Sequence, residues 1–190
     1  MLLCEGGFLR VQLTISAIIC DRNYFFAQFF ATLGPMATRW LSVAEQASWR
    51  NYILTAHDLA AALEADLAPH GITMGDYEVL VWLSEAHDNA MRMCDLAQAL
   101  QLSPSGLTRR LDGMVKNGWV ERTSCSSDRR VMYAHLTDVG RAKMESAAPS
   151  HVDSVRRHVL EPLGADGVQQ LGDVFGRIRE HLLELELTRS

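Results

Sequence analysis

The sequence is poor in the features that mark an enzyme, a metalloprotein, a disulfide scaffold or a membrane protein. Its 190 residues hold four cysteines, Cys4, Cys20, Cys94 and Cys125, with no CxxC pair and no zinc-ligand spacing. They read as reduced thiols in a cytoplasmic protein. The seven histidines are scattered. His151 and His158 can share a helix face, but no third ligand stands at helical spacing, so no metal is expected. Apolar stretches in the first 35 residues are broken by Arg10 and by Asp21-Arg22, short of the roughly 20 residues a membrane span needs. The start lacks the early basic region of a signal peptide, and Glu5 comes first. There is no Gly-rich phosphate loop, no HExxH and no GxSxG elbow, so neither an enzyme nor a bound cofactor is expected.

What is present is an ordinary globular composition, 48% hydrophobic and 22% charged. The length suits one domain, or a small domain with an appended helical module. A formal net charge of −5 argues against the whole chain binding a polyanion. The distribution differs: between Ser103 and Arg130, Arg109, Arg110, Lys116, Arg122, Arg129 and Arg130 face only Asp112, Glu121 and Asp128. Charge alone leaves a solvated basic face as open as a binding surface.

Residues 1–35 show no clear period and carry an aromatic cluster at Tyr24, Phe25, Phe26, Phe29 and Phe30. They read as an N-terminal extension, either a misassigned start or an extra helix. From Ser42-Val43-Ala44-Glu45, a capping box, the pattern becomes regular. Trp49, Tyr52, Ile53, Ala56, Leu59, Ala60, Leu63 and Leu67 recur at three- and four-residue steps, and Pro69 and Gly71 end that helix. A second helix is expected from Thr73 to about Ala86, with Tyr77, Leu80, Val81 and Leu83 inward. Asp88-Asn89 marks a turn. Met93 to Leu100 reads as a short helix, followed by a tight turn at Gln101-Leu102.

Ser103 then suits an N-cap, Pro104 the first helical position, and Gly118 the stop. On this helix Leu107, Leu111, Met114 and Val115 share one face, while Ser105, Arg109, Asp112 and Lys116 share the opposite one. Trp119–Ser124 and Val131–Leu136 read as strands joined by the loop Ser126-Ser127-Asp128-Arg129-Arg130. Thr137 caps a helix running to about Leu160 with a bend near Pro149. After Gly164 a last helix carries Val168, Leu171, Val174, Phe175, Ile178, Leu182 and Leu185. The fold expected is mainly α with a small β-hairpin wing: a winged helix-turn-helix over 73–136, flanked by long dimerisation helices in 36–72 and 137–190. The terminal helices carry more apolar face than a small lobe can cover, which predicts a homodimer.

Three stretches resemble the MarR family of bacterial transcriptional regulators. Leu102-Ser103-Pro104-Ser105-Gly106-Leu107-Thr108-Arg109-Arg110-Leu111 is similar to its recognition helix. Asn117-Gly118-Trp119-Val120-Glu121-Arg122 resembles the exit into its wing. Ser127-Asp128-Arg129-Arg130, followed by Leu136-Thr137-Asp138-Val139-Gly140, resembles the wing tip and the start of the next long helix. The likeness spans roughly residues 40–187. It implies a homodimer whose two winged lobes reach successive turns of a pseudo-palindromic operator on double-stranded DNA. It also implies repression, or occasionally activation, that a small aromatic or phenolic molecule or thiol oxidation relieves. Such a protein is cytoplasmic, and nucleoid-associated when on DNA.

Under this resemblance Arg109 reads a base edge, since a guanidinium can bond bidentately to guanine where lysine cannot. Ser103, the helix cap, is one of the DNA-binding residues, Ser105 and Thr108 contact bases or phosphate, and Gly106 offers close approach and a backbone N–H to a phosphate. Arg110 and Lys116 fix register on phosphates. Asp128 holds one of Arg129 and Arg130, and the resemblance selects Arg130 for the minor groove. Other readings of the same residues stay open: a protein-docking helix face and a solvated hairpin. For an effector, Trp49, Arg50, Tyr52 and Trp82 can form an aromatic box with one cation, although such a stripe can equally be core. Two alternatives are a redox-responsive regulator using Cys125, whose neighbours Arg122, Arg129 and Arg130 can lower a thiol's pKa, and a winged-helix adaptor for other proteins.

Overall fold

A computed structural model describes residues 39–124, 128 and 130–188. The N-terminal extension, Cys125, Ser126, Ser127 and Arg129 lie outside the described residues. By backbone proximity the chain divides into two units, Met1–Trp49 and Arg50–Ser190. In the first, the capping box forms as its residues dictate: the Ser42 N–H donates to Glu45 Oε2 at 2.7 Å, and the Glu45 N–H donates to Ser42 Oγ at 3.3 Å. The Ser42 backbone N–H, and after it the Ser42 hydroxyl, hold the Glu45 carboxyl below its usual pKa.

The element order is α1 (Val43–Leu67), a 3-10 turn Ala68–His70, α2 (Met74–Glu85), a second 3-10 turn His87–Asn89, β1 (Ala90–Arg92), α3 (Met93–Ala99), α4 (Pro104–Lys116), β2 (Val120–Ser124), β3 (Met132–Leu136), α5 (Asp138–Val155), a wide π turn Arg156–Leu160, and α6 (Glu161–Leu187). The caps follow local chemistry. Thr73 Oγ1 accepts from the Asp76 N–H at 3.1 Å, and Thr137 Oγ1 accepts from Gly140 at 3.0 Å. Helix α4 ends at Asn117, with Gly118 at φ 72. There the Gly118 N–H donates to the Val115 carbonyl and the Trp119 N–H to that of Met114, satisfying carbonyls that a helix end otherwise leaves open.

The three strands form one antiparallel sheet in the order β1-β3-β2. Ala134 stands opposite Met91 on β1 and Arg122 on β2. Strand β1 is an addition to the expected hairpin. Its three residues are too few to show alternation, and Asp88 and Asn89, both at φ 55, turn the chain into it. One core joins Leu67, Tyr77, Val79, Leu80, Leu83, Leu96, Leu107, Leu111, Met114, Val120, Ala134 and Ala147, from α1 through α5.

Two expectations need correction. Val115, expected on the inward face of α4, is exposed, because its angular position falls at the edge of the stripe that Leu107, Leu111 and Met114 fill. The predicted bend at Pro149 is absent: α5 runs through that residue to Val155. A lost N–H removes one backbone bond, and a helix packed on both sides of the gap tolerates it. The irregularity comes later, in the π turn, where Arg157 and His158, with Ser154 at the end of α5, converge on Asp66 at 2.7, 3.1 and 2.5 Å. These contacts, led by the Ser154 hydroxyl, lower the Asp66 pKa. Gly164, at φ 63 and ψ 178, then kinks α6 three residues after its start.

Candidate nucleic-acid interface

The interface is built on α4. Its buried face anchors it against α3 and β2, so the side chains half a turn away must point outward. Ser103 has extended backbone (φ −66, ψ 154), and its Oγ accepts from the Gly106 N–H at 3.1 Å. That bond sets where α4 begins. It also takes the Gly106 N–H that the sequence offered to a phosphate. The glycine serves the cap instead: an added Cβ would stand 3.1 Å from Ser103 Oγ.

Ser105 is exposed, with its Oγ 3.2 Å from Ser103 Oγ. Thr108 donates its hydroxyl proton to the Pro104 carbonyl at 2.9 Å, which leaves its oxygen lone pairs outward as acceptors. Arg109 and Lys116 are exposed and make no hydrogen bond or ion pair with the described residues. Arg110 differs. It is half-buried, and its guanidinium lies across Gly75 on α2, where an added Cβ would fall 1.2 Å from Nη1. In this arrangement Arg110 packs between helices.

The wing root is tied to α4 and to α5. Asp112, on the outer face of α4, pairs with Arg122 of β2. The sequence showed both charges but not that they meet, because ten residues and a change of element separate them. At the other end of the hairpin, Thr137 donates to the Gly118 carbonyl at 2.7 Å, with the Trp119 carbonyl at 3.1 Å. Gly140 is buried against that same Trp119 carbonyl. Lys143 donates to the His70 carbonyl, and its Nζ lies 5.3 Å from the centre of the Trp119 ring. At the tip, Asp128 Oδ1 accepts from the Arg130 backbone N–H at 3.0 Å, and the Val131 N–H donates to the Asp128 carbonyl. Toward Arg130, then, Asp128 shapes the turn rather than holding the guanidinium; Arg130 itself is exposed.

The four residues considered for an effector fall on two helices. Trp49, Arg50 and Tyr52 are exposed on α1, and Trp82 is exposed on α2. The Tyr52 ring centre lies 5.9 Å from that of Phe175 on α6. Among the described residues no three His, Cys, Asp or Glu side chains gather as a metal site, and no helix is long and apolar enough to cross a membrane. Cys94 is exposed, with its Sγ 3.3 Å from Asp95 Oδ1.

A helix presenting unpaired basic groups beside a pinned hairpin has known counterparts. The model of the MarR family matches residues 72–132. Among curated proteins, the HTH-type transcriptional repressor YetL of Bacillus subtilis is 28% identical over 120 residues, covering 61% of this chain and 71% of YetL. AbsC, a MarR family transcriptional regulator from Streptomyces coelicolor, is 43% identical over 77% of this chain and 99% of its own, with a TM-score of 0.73. Sco3205, a MarR family regulator from the same organism solved in complex with DNA, is 36% identical over 76% of this chain and 92% of its own, also with a TM-score of 0.73. The chain belongs to the MarR family of winged helix-turn-helix transcriptional regulators.

Proposed function

We propose that this regulator binds a pseudo-palindromic operator on double-stranded DNA as a homodimer and represses transcription. The lobe over 73–136 reads the duplex, and the helices in 36–72 and 137–190 join the two copies. Such a protein acts in the cytoplasm, on the nucleoid. The observation that carries the reading is Arg109: exposed, unpaired among the described residues, and rigidly placed opposite the buried stripe of a capped helix. A guanidinium so placed is free to bond a guanine edge. The DNA-bound relative supports the partner, and the relative named as a repressor supports the direction of control.

The homodimer is supported by what a single chain leaves uncovered. Leu54 on α1, and Val174, Phe175, Ile178, Leu182 and Leu185 on α6, are exposed. Apolar area of this extent is normally covered by a partner. Relief by a small aromatic or phenolic effector is part of the same proposal, with Trp49, Arg50, Tyr52 and Trp82 as its contacts. A panel of aromatic acids that neither raises the melting temperature nor releases DNA would remove that part alone.

Fluorescence anisotropy on DNA from upstream of the protein's own gene tests the whole. The wild type is expected to bind it more tightly than a mixed-sequence duplex. Arg109→Ala should cost about 1–3 kcal/mol and relax sequence preference. Wild-type protein indifferent to sequence, or an Arg109→Ala variant that discriminates as well as wild type, would overturn the reading and leave a protein-docking winged helix in its place.

A further inference from the structure

The outer face of the three-stranded sheet carries a cluster that the base-reading role of α4 does not use. Arg92, Tyr133, His135 and Thr123 lie on one face, and each touches the next. The Arg92 Nε–H donates to the Tyr133 hydroxyl at 3.1 Å. The Tyr133 and His135 ring centres are 6.2 Å apart, and His135 Nε2 lies 2.8 Å from Thr123 Oγ1. The register explains the juxtaposition: Tyr133 stands opposite both Arg92 on β1 and Thr123 on β2.

Arg92 is out of place by local rules. It occupies the N-cap of α3, where Ser, Thr, Asp or Asn is favoured, and its side chain caps nothing. A positive charge there also opposes the helix dipole. Asp95 acts on it only at a distance, and the two form no ion pair within 4.0 Å. The guanidinium is thus exposed, aimed by a tyrosine and in no ion pair among the described residues. A side chain that breaks a local rule without an internal reward is expected where a function needs it.

Its position names the partner. Strand β1 runs toward the wing tip as β3 runs away from it, so Arg92 stands at the end of β1 nearest the tip. From its partner Tyr133 to Arg130 is three residues, a reach of about 10 Å of extended chain. Through α3 and the turn into α4, Arg92 also belongs to the same helix-turn-helix as Arg109. We propose that Arg92, held by Tyr133, contacts a backbone phosphate of the bound duplex beside the wing, and that Tyr133 is its positioning residue. This rests on the DNA-binding reading and extends it to a contact that is blind to sequence.

A phosphate contact has a signature that a folding role lacks. Each one neutralised contributes about 0.9 to the slope of log K against log salt. The full-length protein is titrated by anisotropy onto two duplexes, the upstream DNA and a mixed-sequence one, across a salt series. Arg92→Ala should weaken binding to both by the same factor and flatten the slope by about 0.9, so that the wild type's advantage shrinks about 3.5-fold between about 50 and 200 mM salt. Tyr133→Phe should give a smaller loss of the same kind, and Arg92→Lys should restore most of the slope. Melting temperatures of all variants, read alongside, separate contact from folding. A wild-type slope in a folded Arg92→Ala protein overturns the inference while leaving the DNA-binding reading intact. Wild-type protein that binds neither duplex overturns both.

Discussion

Gly140→Ala isolates the joint between the wing and the long helix that follows. Two effects of opposite sign compete there. Replacing a helical glycine by alanine usually favours the helix by up to about 1 kcal/mol. At Gly140 the new methyl would stand 2.1 Å from the Trp119 carbonyl oxygen, 2.9 Å from its carbon and 3.0 Å from Leu136 Cδ1. Real Cβ atoms do not approach an oxygen that closely, so α5 or the strand must move by nearly an ångström. The obstacle is backbone and has no rotamer to yield. It is also the carbonyl that accepts from the Thr137 N–H at 3.2 Å, so any shift loosens the cap as well. Overpacking of this kind costs about 1–3 kcal/mol, and a weakened cap adds about 1. The clash outweighs the propensity gain, and a net loss of about 1–3 kcal/mol is expected. At about 2–4 °C per kcal/mol for a chain of this size, the melting temperature should fall by about 2–12 °C. Gly113 on exposed α4 is the control: nothing lies within 4 Å of the position its added methyl would take, so Gly113→Ala should be neutral or stabilising. Urea denaturation at one fixed protein concentration reads both. A Gly140→Ala protein as stable as wild type would refute the packing described for the wing root.

The Asp112–Arg122 pair links the recognition helix to the wing across a partly exposed surface, with side-chain exposures of 63% and 24%. A double-mutant cycle with Asp112→Asn and Arg122→Met should give a coupling of about 0.2–1 kcal/mol in urea unfolding; a coupling of zero would mean the charges do not act on each other. His151 supplies a pH dependence. Its ring packs 4.8 Å from that of Tyr77, its Nδ1 is buried without a partner among the described residues, and burial lowers its pKa below 6.5 despite the opposing pull of Glu78. As the pH falls from 6.5 the unfolded chain takes up the proton first, so stability held above that pH is lost progressively toward the lower folded value. Melting curves from about pH 7.5 to 5 should show this loss, and His151→Gln should flatten it; an unchanged slope in the variant would assign the dependence to other groups.

Much of the helical frame was legible because it rests on local chemistry. Ser42, Ser103 and Thr137 each cap the helix they precede, and Gly118 ends α4. The outward direction of Arg109 was also legible, since a helix with Leu107, Leu111 and Met114 buried leaves no other side for it. The tasks of the neighbouring groups were not. Ser103 takes the Gly106 N–H, Gly75 receives the Arg110 guanidinium, and the Arg130 backbone takes the Asp128 carboxylate. In each case a hydrogen bond or contact within the protein competes with the external one that the residue type suggests.

The sequence by itself determined the order of the helices and of the two hairpin strands, the caps at Ser42, Ser103 and Thr137, and which face of α4 is apolar, because caps and periodicity act within a few residues. Only the tertiary structure decided that Ala90–Arg92 pairs with β3, that Asp112 meets Arg122, that Gly140 sits under the Trp119 carbonyl and that Tyr133 holds Arg92. These are contacts between segments distant along the chain. They depend on how the strands register and where the helices pack, and no pattern of spacing encodes them.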